Sequence, residues 1–195
     1  MKLARFVFPA VLLLASSASL VAQAPASTAT PPGATPGTTS TAAAGDKGKA
    51  LAPADKKFVK DAGESLYYQL ALAEKTKLKA GSEAVKRLGE RMNDDLKKVW
   101  EELAAATQPL NEPLPTALAG GDKSAAERLN KLEGDRFDRQ VLTLLSKESK
   151  RLARTFESKS LQNAELKTLA ANHGPTVKNH SNEIDKAEKE AAKTK

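Results

Sequence analysis

No cysteine occurs among the 195 residues. That excludes a thiol nucleophile, a thiolate metal site and any disulfide, so the fold must hold by packing alone. Histidine is nearly as scarce, with only His173 and His180. Beyond residue 24 the aromatic side chains are Phe58, Tyr67, Tyr68, Trp100, Phe137 and Phe156, so Leu and Ala must build most of the core. There is no glycine-rich phosphate loop and no strand-like alternation. No uninterrupted apolar run approaches the roughly 20 residues that a membrane-spanning helix needs.

What is there begins with a secretory pattern. Lys2 and Arg5 precede an apolar run from Phe6 through Leu14, which trails into small residues up to Ala24. This is the layout of a signal peptide over residues 1–24, with cleavage near Ala22 to Ala24. No cysteine follows to accept a lipid, so the expected product is exported and soluble after cleavage, in a periplasmic or outer-membrane-associated setting. Residues 25–54 consist mainly of Ala, Thr, Pro, Gly and Ser and lack the apolar side chains that would offset ordering entropy. They are expected to form a disordered linker, acting as a spacer or as a tether.

The formal charge of +7 falls to +5 once Lys2 and Arg5 are removed with the signal. Acidic and basic residues alternate along the chain as on a solvated helix surface. The excess therefore predicts solubility and at most weak contact with anionic lipid or polysaccharide. A nucleic-acid partner is not expected.

From Asp55 a helical face recurs every three or four positions, first at Phe58, Ala62, Leu66, Gln69 or Leu70, and Ala73. Ala80-Gly81-Ser82 interrupts this helix, and Ser82 is placed to cap a second one carrying Val85, Leu88, Met92, Leu96, Val99 and Leu103. Pro109, Pro113 and Pro115 end that helix near Thr107 and start a long crossing loop. A short helix from Asp122 or Ser124 should break at Gly134. A third long helix carries Phe137, Val141, Leu145, Ser149, Leu152 and Phe156. The last runs from about Asn163 to Ala192, with Gly174-Pro175 expected to kink it or divide it in two. The predicted fold is an all-α, antiparallel four-helix bundle of ferritin-like type over residues 55–195.

Candidate chemistry centres on the last helix. His173 and His180 lie two turns apart on one face, ~10 Å along the axis, too far to chelate one ion together without a break between them. Glu183 follows His180 on the same side, so the two form a candidate pair for a transition metal. Asp95, near the buried face of the second helix, is either an interior ligand or a boundary charge paired with Lys or Arg. The candidate metal set is therefore His180, Asp95, Glu183 and His173. Neither histidine has the Glu-x-x-His spacing of di-iron bundles, and Ser149 has no neighbouring base, so no catalytic residue is assigned. Asn179-His180-Ser181 matches a glycosylation acceptor but falls within a helix.

The segment Leu132-Glu133-Gly134-Asp135-Arg136-Phe137-Asp138-Arg139 resembles the Leu-x-Gly-x-x-Phe-Asp-(Lys/Arg) signature of exported bacterial proteins in domain-of-unknown-function family 4142. Phe58-Val59-Lys60, Val85-Lys86, Arg91-Met92, Leu114-Pro115, Pro175 and His180 agree with that family in order. The resemblance spans about Asp55 to Ala187. It implies a ferritin-like four-helix fold and an envelope setting, and it supplies no reaction. Members of that family often carry a Glu, an Asp-His, a His and a His on successive long helices, residue types suited to a metal. The matching positions here hold Gln69, Asp95, Ser149 and His180, of which Gln69 and Ser149 are poor metal ligands. The resemblance therefore implies a degenerate copy of such a site. The expected role is that of a non-catalytic exported bundle in envelope maintenance or stress-related contact with an envelope protein. The alternative is a metal-binding protein centred on His180.

Overall fold

The structure is a computed structural model, and it describes residues 51–193. The signal peptide assigned to residues 1–24 and the linker up to residue 50 lie outside the described residues. Five α-helices make up the chain from there: α1 (Pro53–Lys79), α2 (Glu83–Thr107), α3 (Gly120–Leu129), α4 (Gly134–Phe156) and α5 (Ala164–Lys193). There is no strand among the described residues, and no helix there is long and apolar enough to cross a membrane.

Each boundary has a local cause. Proline at the first turn of α1 loses only an amide that would lack a helical partner in any case, so the helix opens at Pro53. A 3-10 turn over Gln108–Leu110 closes α2, with Asn111 left-handed at φ 54°. Gly134 starts α4 at φ 55°, a conformation that side chains resist. Ser82 stands at the cap position of α2, but its side chain makes no capping bond. The helix α5 is continuous through Pro175, so the expected division in two does not occur. Pro175 and Ala171 are both exposed, which leaves the carbonyl that loses its helical partner open to water.

The four long helices pack in a closed ring: α1 on α2, α2 on α5, α5 on α4, and α4 on α1. Their buried faces meet in one apolar core containing Leu66, Leu72, Met92, Leu96, Phe137, Leu145, Leu152 and Leu166. The short α3 lies against α1 and α4, contributing Ala125, Ala126 and Leu129. The loop before it crosses α1, where the Tyr67 hydroxyl donates to the Thr116 carbonyl at 2.9 Å and the Tyr67 ring packs at a tilt against Trp100.

The two hairpins, α1–α2 and α4–α5, repeat each other. Asp55, Phe58, Val59 and Ala62 of α1 are buried in the register of Asp138, Val141, Leu142 and Leu145 of α4. Val85, Leu88 and Leu103 of α2 likewise match Leu166, Leu169 and Ile184 of α5. The matched acids do matched work. Both Asp138 oxygens accept backbone N–H bonds, from Gly81 at 2.9 Å and Ser82 at 2.8 Å, at the entry to α2. Asp55 accepts those of Gln162 at 2.8 Å and Asn163 at 3.1 Å, at the entry to α5. Each hairpin thus caps the second helix of the other. A carboxylate there satisfies the two amides that lead into the helix and faces the positive end of its dipole.

Candidate functional site

Three groups of polar side chains are candidates: the signature segment, the α2–α5 seam and the α1–α4 seam. In the signature segment the chemistry is spent on architecture. Phe137 is fully buried, with the Lys79 ammonium 5.6 Å from its ring centre. Asp138 caps α2 as described. A Cβ on Gly81 would come within 2.8 Å of the Gly134 Cα, so the two glycines let the chain bend at Gly81 touch the start of α4. The segment is a joint between the hairpins, and beside it lies a cleft of about 280 Å³ lined by Ser82, Val85, Asp135 and Arg139.

The α2–α5 seam holds the predicted metal residues, and it brings together only two of them. His180 Nε2 lies 3.1 Å from Asp95 Oδ2, and Lys98 reaches the other Asp95 oxygen at 3.7 Å. His180 is buried, and its Nδ1 has no hydrogen-bond partner. Glu183 is instead engaged by Arg91 at 3.2 Å and by Asn179 at 3.4 Å. His173 is only partly buried and meets Glu102 at 2.7 Å. The reason is the helix pitch: each histidine faces its own acid on α2, so the two remain separate. No three His, Asp or Glu side chains among the described residues are grouped to share an ion. Two donors fall short of the three or four protein ligands of a typical zinc site. Asp95 stands half-exposed between the buried His180 and Lys98. The Asn179-His180-Ser181 acceptor pattern lies inside α5, with His180 and Ser181 both buried.

The remaining two family positions fall in the α1–α4 seam and satisfy one another. Ser149 Oγ donates to Gln69 Oε1 at 2.9 Å. The Gln69 amide in turn donates to Ser65 Oγ at 3.3 Å and to the Glu148 carbonyl at 3.4 Å. All of these side chains are buried. A neutral amide–hydroxyl pair needs no ion to compensate it, so these residues do not fit a transition metal.

Beside that pair sits the residue that sequence reasoning missed. Glu148 is 3% exposed. Its carboxylate meets the Ser65 hydroxyl at 3.4 Å and Arg151 at 3.5 Å, and Arg151 also serves Glu64 at 3.3 Å. Burial pushes the Glu148 carboxyl above the usual carboxylate range. Arg151 opposes that shift, Asp122 adds to it, and Lys147 and the Ser65 hydrogen bond oppose it. The neighbouring Tyr68 hydroxyl is buried without a partner. Burial, then the charges of Asp122 and Glu148, push it up to about 12 against the opposing charge of Arg128. The only sequence signal for Glu148 was its place one residue before Ser149 on the apolar face of α4.

The comparisons with known proteins agree with this architecture. The profile of the domain of unknown function DUF4142 matches residues 39–187, more than half of the chain. The chain belongs to the DUF4142 family. The match begins within the segment read as linker. No curated protein matches. Among solved structures, a DUF305 fragment from Deinococcus radiodurans is similar, at 13% identity and a TM-score of 0.64. The alignment covers 73% of this chain and 99% of that one. At that identity the likeness concerns the fold alone.

Proposed function

We propose that this DUF4142 protein is a non-catalytic, exported helical bundle that works through contacts with another envelope protein, in envelope maintenance or stress tolerance. The ring of four long helices is then an antiparallel bundle of ferritin-like type, with α5 bent at Gly174-Pro175. The observation that carries this reading is the use of the buried polar groups. Asp55 and Asp138 close helix ends, and Gln69 and Ser149 close on each other. A nucleophile with an adjacent base is not found among these groups. The openings on the surface also suit contact better than enclosure. The groove between the end of α2 and the start of α5, about 400 Å³, is lined by Ala105, Ala106 and Leu169 together with Glu102 and Glu165.

Cross-linking in intact cells, followed by affinity capture from the envelope fraction, tests the reading. One envelope protein recovered reproducibly, and lost when residues of that groove are changed, is the expected result. A protein that remains in the cytoplasmic fraction overturns it.

A second reading is a weak transition-metal site centred on His180, favoured by its contact with Asp95. It predicts stoichiometric metal in the purified, untagged protein that disappears in His180→Ala while the helical circular dichroism is kept. Substoichiometric metal, unchanged in that variant, removes this reading. Weak contact with anionic lipid or polysaccharide, if it occurs, should fade with added salt.

A further inference from the structure

We propose that α3 is a proton-governed lid over the α1–α4 seam, closed above Glu148 while that side chain carries a proton and loosened when it ionises. Three structural observations lead there.

First, Glu148 is an acid shut in without a close partner. Its two side-chain contacts, to Ser65 and Arg151, are at the outer limit of hydrogen-bond distance. A buried carboxylate is tolerated as the neutral acid, or as an anion if well paired, and this one is poorly paired.

Second, α3 lies on the seam that holds it, packed against both α1 and α4. Asp122 in its first turn lines one small cleft with Glu64 and Tyr67 of α1, and Glu64 shares Arg151 with Glu148. The charge of Asp122 bears on both Glu148 and Tyr68, whose hydroxyl is buried without a partner.

Third, α3 is lightly held. Its buried residues are Ala125, Ala126 and Leu129, and no side chain caps its start. Beyond its end, two half-buried lysines of α1 grip Asn130, Lys75 at 2.7 Å and Lys79 at 2.9 Å.

The charge balance decides the direction. From α1 the carboxyl faces the Ser65 hydroxyl and the Tyr68 phenol, from α3 it faces Asp122, and from α4 Lys147 and Arg151. Ionised Glu148 repels Asp122 from a buried position, where its charge is weakly screened. Raising α3 relieves this by admitting water to Glu148 and to Tyr68. Protonated Glu148 carries no such repulsion and leaves the short apolar contact of α3 intact. Opening of this kind is the local, low-cost motion expected of an element with few buried contacts.

Amide hydrogen exchange followed by mass spectrometry across pH 4.5 to 8, corrected for intrinsic chemical exchange, tests the lid in the folded protein. Protection of residues 120–129 should fall as pH rises, tenfold for each pH unit between the closed-state and open-state titrations of Glu148. Peptides from α2 and α5 should keep theirs. Glu148→Gln should flatten the α3 profile. Asp122→Asn, which keeps the buried acid and removes its repulsion, should make the fall smaller and end it at lower pH, because the closed-state titration of Glu148 then lies nearer the open-state one. Protection of α3 that is independent of pH in the natural protein overturns the proposal. So does a fall that is unchanged in Glu148→Gln, or one shared equally by all five helices.

Discussion

The two flanks of α4 treat a carboxylate in opposite ways. Toward α5, Asp185 is only partly buried and sits at 2.8 Å from Lys150 and at 2.9 Å from the Ser146 hydroxyl. The Lys150 hydrogen bond holds its carboxyl below the usual range; slight burial opposes this and the Ser146 hydrogen bond assists it. Toward α1, Glu148 is buried with only distant partners, and burial drives its carboxyl the other way. Both acids belong to the same ring of helices. What separates them is burial: an acid left at the rim recruits a flexible lysine, whereas an acid buried in the seam loses water without gaining a close cation. Asp138, on α4 near its start, shows the third outcome, a buried acid fully engaged by two backbone amides.

The largest effect should come from breaking that third case. Asp138→Ala removes two charge-assisted bonds and uncaps α2, at a cost of about 3 kcal/mol. Chemical denaturation should show it as a lower midpoint with an unchanged slope. The reciprocal Asp55→Ala should cost a similar amount if the two hairpins are equivalent, and a much smaller loss would break the equivalence.

Next comes the neutral pair beside Glu148. Ser149→Ala strands the buried Gln69 carbonyl oxygen and should cost about 2 kcal/mol. The double variant Gln69→Leu, Ser149→Ala should cost less than the sum of the single changes, because both partners then become apolar. Strict additivity in the same denaturation assay would argue that the pair is not coupled.

The two titrating acids should respond to pH with opposite sign. Glu148 ionises above the range of an unfolded chain, so the native state loses stability as pH rises through that raised range. Glu148→Gln should therefore gain stability over the natural protein at pH 8, and that advantage over the natural protein should vanish at pH 4. Asp185 ionises below the unfolded range, so its contribution is present at neutral pH and is lost as pH falls. Asp185→Asn should be the smallest effect, below about 0.5 kcal/mol at pH 7 and nil in acid, as for an open ion pair. Thermal melts at the two pH values measure both.

Much of the helical architecture was legible in the residues. Phe58, Ala62 and Leu66 recur at helical spacing, and so do Val85, Leu88 and Met92, and each set is buried as the period requires. Pro109 and Gly134 stand where α2 ends and α4 begins. Of the two effects expected of Pro175, division of the last helix did not occur, because a helix can run through a proline at the loss of one hydrogen bond. The histidines were placed on one face correctly as a matter of pitch, but pitch could not say that Glu102 would face His173 and Asp95 His180. The hairpin repeat was not visible either. It lies in a pattern of burial and in two acids, Asp55 and Asp138, with little identity in the intervening residues.

The sequence by itself determined which segments are helical and which face of each is apolar, because period and chain-breaking residues act within a few positions. It also carried the family signature at Leu132 to Arg139. Tertiary structure alone decided what the polar residues do. Whether an acid caps a distant helix, pairs with a lysine or is buried without a close partner depends on contacts such as Asp55 with Gln162, or Glu148 with Ser65. Those contacts join parts of the chain that no local pattern relates, and the free energy of a charge is set by what surrounds it in space.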